Sequence, residues 1–227
     1  SDFTDIRVIC VPKQYDVQMM VCDADYYDWN GVVYTESGTY TQTLANIYGC
    51  DSIVNMTLAF KHNDFSYTID DVAETATITG LRNDTITHVV IPDMIGCDVL
   101  YPVVAIADNA FAGNTAITFV SAEHNVETIG SGAFSGCTAL GKLVLGSEVR
   151  NISDNAFFGC RNLIHTYCNA TNPPYAEQSS FYNYNGYLYV PCSSLETYQT
   201  DMVFGSFKFI QCTTDTPTDL EPVVYPC

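Results

Sequence analysis

TFVSAEHNVETIGSGAFSGCTAL (118–140) and GKLVLGSEVRNISDNAFFGCRNL (141–163) are consecutive blocks of equal length, and YPVVAIADNAFAGNTAI (101–117) ends in the same pattern. Val103, Val126 and Val149 stand in register, as do Ile106, Ile129 and Ile152, then Phe111, Phe134 and Phe157, then Ile117, Leu140 and Leu163. Ala precedes each Phe, and Gly113, Gly136 and Gly159 follow it by two. A unit this short cannot bury its own apolar face, so the units stack and the columns become one core. Runs such as Leu143-Val144-Leu145 predict one short strand per coil, stacked as a parallel sheet. The Ala-Phe-x-Gly segment predicts a tight or helical turn on the opposite wall, with Gly allowing the backbone to reverse.

The blocks on either side close the stack. IHTYCNATNPPYAEQSSFYNYNG (164–186) keeps a strand and Phe181 but carries Pro173-Pro174 in its middle. YLYVPCSSLETYQTDMVFGSFKF (187–209) keeps the strand and then predicts a short helix around Ser193–Met202 and a closing strand near Phe207–Gln211. An open solenoid end would expose core and sheet edge, so these atypical blocks read as a C-terminal cap. In front, FSYTIDDVAETATITGL (65–81) alternates like a β-hairpin turning around Asp70–Glu74, and THVVIPDMI (87–95) supplies the first repeat-like strand. The predicted organisation is a small β module over 1–60, a hairpin cap and first strand over 61–95, repeats over 96–163, atypical repeats and cap over 164–212, and a tail over 213–227.

The pattern strand-IP-x-V-x-x-I-x-x-x-A-F-x-G-C-x-x-L resembles the BspA-like leucine-rich repeat family of bacterial surface proteins, across about Phe65–Cys212. The ending N-P-P…F…LYVPCSSLETY…F-x-x-I is similar to the closing cap of that family. The first unit departs from the pattern with Asn114 where the others have Cys137 and Cys160. The resemblance implies a mainly β fold: a leucine-rich-repeat-type right-handed solenoid with 23-residue repeats and short helical turns. Ahead of it, Cys22-x6-Trp29-Asn30-Gly31, Tyr34-x3-Gly38-x-Tyr40 and Gly49-Cys50-Asp51-Ser52 resemble a small β-sandwich-like module, over about Val21–Phe60. Such modules belong to large exported Bacteroidetes-type proteins, often beside type IX secretion signals.

Composition agrees with export. With 47% hydrophobic and 15% charged residues, the chain of 227 has the material for a core and lacks the signature of disorder. The 26 Asp and Glu against 8 Lys and Arg give a net charge of −18. That excludes the basic footprint nucleic-acid binding needs, and it disfavours anionic membrane surfaces. The plain role of the charge is solubility. No run approaches the roughly 20 apolar residues of a membrane helix, and Ser1 reads as the start of a trimmed mature chain.

Ten cysteines, an even count, point to disulfides in an oxidising compartment. Cys22 and Cys50 flank the small module and make a staple for a unit with little core. Cys168, Cys192 and Cys212 end three successive strand segments (HTYC, YVPC, FIQC), with His165 three residues before Cys168. Strands stacked about 4.8 Å apart could gather these groups around zinc. The oxidising reading favours a Cys168–Cys192 disulfide instead, with Cys212 paired to Cys227 or left over. Cys137 and Cys160 read as small buried thiols in a repeat column; Cys10 and Cys97 are unassigned.

No catalytic constellation is legible. His62, His88, His124 and His165 stand in no nucleophile–base motif, and there is no HExxH, GxSxG or phosphate-binding Gly loop. No cofactor and no metal are assigned. Asp23, Asp25 and Asp28 read as a solvated turn rather than a calcium loop. Asn55, Asn83, Asn151 and Asn169 satisfy N-x-[ST], which matters only in a eukaryotic secretory route. The resemblance to exported proteins implies O-glycosylation as a role for Ser52 and Thr85, in Asp-Ser-Ile and Asp-Thr-Ile.

The expected function is a secreted or cell-surface, non-enzymatic binding or adhesion module. It would present its repeat surface to an extracellular protein or glycan, as a monomer, with Phe119, Lys142, His165 and Tyr167 as the candidate binding face. The alternative is a structural spacer within a larger surface protein. A glycan hydrolase ranks third, because it needs two carboxylates facing each other across a cleft and no such pair is legible.

Overall fold

The computed structural model describes residues 14–213 apart from Asp23, Asp25, residues 45–51, His62 and Asp98. The chain divides between Asn63 and Asp64 into two compact units.

The first unit holds β1 (Gln14–Cys22), β2 (Tyr27–Trp29), β3 (Val32–Tyr34), β4 (Gly38–Leu44) and β5 (Ser52–Lys61). β5 is the centre of a three-stranded sheet, parallel to β1 and antiparallel to β4. β2 and β3 form a separate ribbon across the two-residue Asn30-Gly31 turn. The ribbon rests on the sheet through Tyr34 against Tyr40, ring centroids 4.2 Å apart, and through Gln42, whose amide donates to the Trp29 carbonyl at 2.9 Å. Alternation along β5 buries Val54, Met56 and Leu58. A core this small needs covalent help, and Cys22 is disulfide-bonded. Its expected partner Cys50 lies outside the described residues, as do Cys10 and Cys227.

The second unit opens with β6 (Phe65–Asp70) and β7 (Thr75–Leu81), an antiparallel hairpin. β8 (His88–Val90), β9 (Met94–Gly96) and β10 (Leu100–Ile106) lead into the repeats, where β11 (Phe119–Ala122), β13 (Lys142–Leu145) and β15 (His165–Cys168) alternate with two-residue strands β12 (Thr128–Ile129), β14 (Asn151–Ile152) and β16 (Tyr175–Ala176). β17 (Tyr187–Pro191), α1 (Leu195–Thr200) and β18 (Phe209–Thr213) complete the cap. Each coil therefore carries two strands rather than the single one expected. One parallel sheet runs β18-β17-β15-β13-β11-β8; the other runs β16-β14-β12-β10-β7, with β6 added antiparallel at its edge. The second strands escape periodicity reading because each offers only one outward and one inward residue.

Register follows the repeat: Phe119 pairs with Lys142, and Lys142 with His165, so each residue meets its counterpart in the next block. The Ala-Phe-x-Gly segments make a third wall of successive turns. The N–H groups of Phe134 and Gly136 donate one coil onward to the carbonyls of Ala156 and Phe158, at 2.8 and 2.7 Å. Gly113, Gly136 and Gly159 sit at φ +76°, +78° and +76°, a backbone conformation that strains any L side chain. Behind this wall the phenylalanines stack: Phe111 on Phe134 at 4.8 Å, Phe134 on Phe157 at 5.3 Å, and Phe157 on Phe181 at 5.3 Å. Cys137 and Cys160 lie buried beside them, and their thiols donate to the carbonyls of Phe111 and Phe134 one coil back. Asn114 replaces the thiol by accepting from the N–H groups of Ala116 and Ile117.

The cap corrects the disulfide expectation. Cys192 is bonded to Cys212, and Cys168 is a free, buried thiol. His165 pairs with Tyr187, which places Cys168 level with Val190 and leaves Cys192 two residues beyond it. Cys168 faces the core and meets the Tyr198 hydroxyl at 3.1 Å. That hydroxyl donates to the Ala170 carbonyl at 2.9 Å and ties α1 to the loop before Pro173-Pro174.

Candidate binding face

Alternation sorts the six-stranded sheet into an inner and an outer face. Val120, Leu143, Thr166 and Leu188 point inward, as do Ala122, Leu145, Cys168 and Val190, and all are buried. The outward positions form two rows across the strands. The first runs His88, Phe119, Lys142, His165, Tyr187, Phe209; the second runs Val90, Ser121, Val144, Tyr167, Tyr189, Gln211. Three of the expected face residues, Phe119, Lys142 and His165, are neighbours in the first row, and Tyr167 stands in the second.

The rows are a ladder of rings standing edge-up. His165 stacks on Tyr187 at 5.6 Å, Tyr187 on Phe209 at 4.7 Å and Tyr167 on Tyr189 at 4.4 Å, with interplanar angles between 13° and 19°. Strand spacing sets this geometry: parallel in-register strands about 4.8 Å apart bring successive rings to stacking distance. Lys142 interrupts the first row. Its Nζ lies 5.5 Å from the Phe119 centroid and 5.1 Å from that of Tyr167, a cation held between two rings. At the far edge Lys208 lies over Phe209 at 5.2 Å. His165 accepts or donates through Nδ1 to the Tyr189 hydroxyl at 3.2 Å. Burial, and then the Lys142 charge beside it, hold its pKa below the usual imidazole value.

Beyond the strands a third row brings in polar groups. Glu123 accepts from Ser121 Oγ at 3.0 Å and, across the intervening strand, from Asn169 Nδ2 at 3.5 Å. Gly146 lies between them, where a Cβ would come within 2.8 Å of Glu123 Cα, so the close stacking of these coils requires glycine. His88, Tyr187, Tyr189, Phe209 and Lys208 were not singled out from sequence. The string signal reaches one of them: aligned on their cysteines, HTYC, YVPC and FIQC place Phe209 in the row of His165, but they put Tyr189 where the pairing puts Tyr187.

Other candidates are not brought together. His165 and Cys168, three apart on one strand, face opposite sides of the sheet, and Cys192 and Cys212 are bonded to each other. Among the described residues no group of three His, Cys, Asp or Glu has the arrangement to hold a metal ion. Asp28 accepts from the Gly31 N–H inside the ribbon turn, while Asp23, Asp25 and His62 lie outside the described residues. Ser52 begins β5 opposite Leu44, whereas Thr85 is exposed in a loop and donates to Asn83 Oδ1 at 2.7 Å. A depression of about 480 Å3 beside Gly80 and Asn114 contains one carboxylate, Asp84, and one of about 420 Å3 beside Pro173 is flanked by Glu148 and Arg150. Neither gathers two carboxylates; a third depression, of about 360 Å3, is lined by Asp71 and Glu74, but both stand on the one turn between β6 and β7 and not across a cleft from each other. No helix among the described residues is long and apolar enough to cross a membrane.

Residues 104–218 match the model of the BspA type leucine rich repeat region, in six copies. Among curated proteins no sequence matches the chain. Of solved structures, the leucine-rich repeat protein of T. pallidum is 32% identical over 45% of this chain and 46% of its own, with a TM-score of 0.41. A leucine-rich repeat protein from Bacteroides capillosus is 20% identical, covering 66% of this chain and 94% of its own, with a TM-score of 0.46. A leucine rich cell surface protein from Faecalibacterium prausnitzii is 19% identical, covering 67% and 42%, with a TM-score of 0.47. The chain thus spans less than half the length of the first and third.

Proposed function

The chain belongs to the BspA-type leucine-rich repeat family, and on that premise we propose that it is an extracellular, non-enzymatic binding module whose six-stranded sheet is the contact surface for a protein or glycan partner. The observation that carries this is the aromatic ladder. A sheet face that met only water would gain little from six successive residues His88, Phe119, Lys142, His165, Tyr187 and Phe209. These five rings and the lysine among them are half-buried or exposed, with Phe209 at 39% and the neighbouring Val90 at 53% exposure. Monomeric proteins rarely leave contiguous apolar surface open without use. Tyrosines fixed by stacking supply contact area at low entropic cost, because their side chains are ordered before a partner arrives.

The test is a binding screen of the full chain against immobilised extracellular proteins and a glycan array, repeated with Tyr187→Ser. Tyr187 is only partly buried and outside the core, so the variant should fold. Loss of a specific signal with an unchanged thermal melt supports the reading. A partner bound equally by both proteins would place the contact elsewhere, and a spacer role predicts no specific signal from either.

A further inference from the structure

The chain has 26 acidic and 8 basic residues. Lys142 and Lys208 make no ion pair among the described residues; Lys142 is held between two aromatic rings and Lys208 over one. None of the twelve outward strand positions of the sheet is Asp or Glu. The two strand rows thus carry positive charge alone, and the carboxylate of this face, Glu123, lies in the row beyond them, where it accepts from Ser121 and Asn169. A lysine over a ring keeps its charge available, since the ring offers a quadrupole and no counter-ion.

The ladder also limits what can dock. Tyr187 has His165 on one side and Phe209 on the other, Tyr167 has Tyr189, and Lys208 covers Phe209. Their faces are occupied, so a sugar ring finds no open platform. Tyr189 is buried and its hydroxyl meets His165, so the edges of the partly buried rings are what remain outward, and the edge is the positive end of the aromatic quadrupole. Resting on the reading of this sheet as the contact surface, we propose that its partner is a protein presenting an extended acidic segment across the strands, with one carboxylate at Lys142 and another at Lys208. From β13 to β18 there are three strand steps, about 14 Å at roughly 4.8 Å each. An extended chain advances about 3.3 Å per residue, so the two carboxylates stand about four residues apart.

The experiment is fluorescence polarisation of the full chain with the labelled peptide Val-Glu-Thr-Ser-Thr-Glu-Val. Controls are the same peptide with both Glu changed to Gln, and an isomer with the two Glu two residues apart. Two exposed ion pairs together supply roughly tenfold in Kd over the Gln peptide, and Lys142→Met or Lys208→Met each loses about threefold to fivefold. Thermal melts check that the variants fold, and the Glu-to-Gln comparison is made on the unaltered protein. Equal binding of the Gln peptide, equal binding of the isomer, or indifference to both lysine substitutions overturns the proposal. So does lysine-dependent binding of polygalacturonate without binding of the peptide, which would make the partner an acidic glycan. If a partner from the screen is lost with Tyr187→Ser but keeps its affinity with both lysine variants, the acidic segment is wrong while the face survives. If Tyr187→Ser changes nothing, the face itself is wrong.

Discussion

Phe134→Ala tests the architecture most directly. The ring is fully buried and stacked on both sides, by Phe111 at an interplanar angle of 10° and by Phe157 at 3°. Returning a buried Phe to water costs about 1.5–3 kcal/mol. A ring-sized void of roughly 100 Å3 at about 24 cal/mol per Å3 adds about 2.4 kcal/mol if the coil does not collapse. The backbone is held on either side by the inter-coil hydrogen bonds of Phe134 and Gly136, so little collapse is available. The sum, about 4 kcal/mol to slightly above 5, falls at the upper end of the range of about 3–5 kcal/mol measured for such truncations. At about 2–4 °C per kcal/mol for a unit of this size, the melt falls by roughly 6–20 °C. Thermal unfolding is followed by far-UV circular dichroism, with emission from Trp29, the single Trp, reporting on the first unit separately. Phe158→Ala, one residue beyond Phe157 but 51% exposed, is the control and should lose about 1 kcal/mol, mainly its edge contact with Tyr182. A Phe134→Ala melt indistinguishable from that control would refute the stacked-column account.

Three further outcomes follow from named groups. Tyr198→Phe leaves the Ala170 carbonyl and the Cys168 thiol without their shared partner, and urea titration should show a loss of about 1–3 kcal/mol. Burial pushes Cys137 and Cys160 up to about 12 and Cys168 up to about 11, so a maleimide at pH 7.5 should leave all three unlabelled until the chain is denatured. Labelling within minutes in the native state would contradict their placement. For His165 the folded pKa is depressed, so the unfolded chain binds the proton more readily. Its contribution to stability is therefore complete above about 6.5 and is lost as pH falls through the lowered folded value. Lys142→Met should move the His165 titration upward in NMR, and an unchanged curve would show that the lysine charge is not felt there.

The repeat was legible because it is written in the large apolar residues. Val126, Ile129, Phe134 and Leu140 recur one block later as Val149, Ile152, Phe157 and Leu163, and a coil that cannot bury its own face leaves stacking as the one way to bury these columns. Phe181 was legible as a continuation of the column even behind the proline pair. The small-strand wall, β12 and β14, was not, because two residues carry no period. The disulfide was misread for a related reason. HTYC and YVPC look alike as strings, yet pairing starts at His165 and Tyr187, and that offset puts Cys168 level with Val190 and sends Cys192 beyond it to Cys212.

The face divides in the same way. Sequence alone determined that Phe119, Lys142 and His165 share a register position, since they hold the same place in successive blocks. Only the tertiary structure decided that Tyr187 and Phe209 extend the same row through the irregular cap, that the rings cover one another's faces, and that Lys142 and Lys208 sit on those rings rather than beside carboxylates. Period is a property of spacing along the chain. Which atoms a side chain touches depends on strand pairing and the direction each residue points, and those exist only once the coils are stacked.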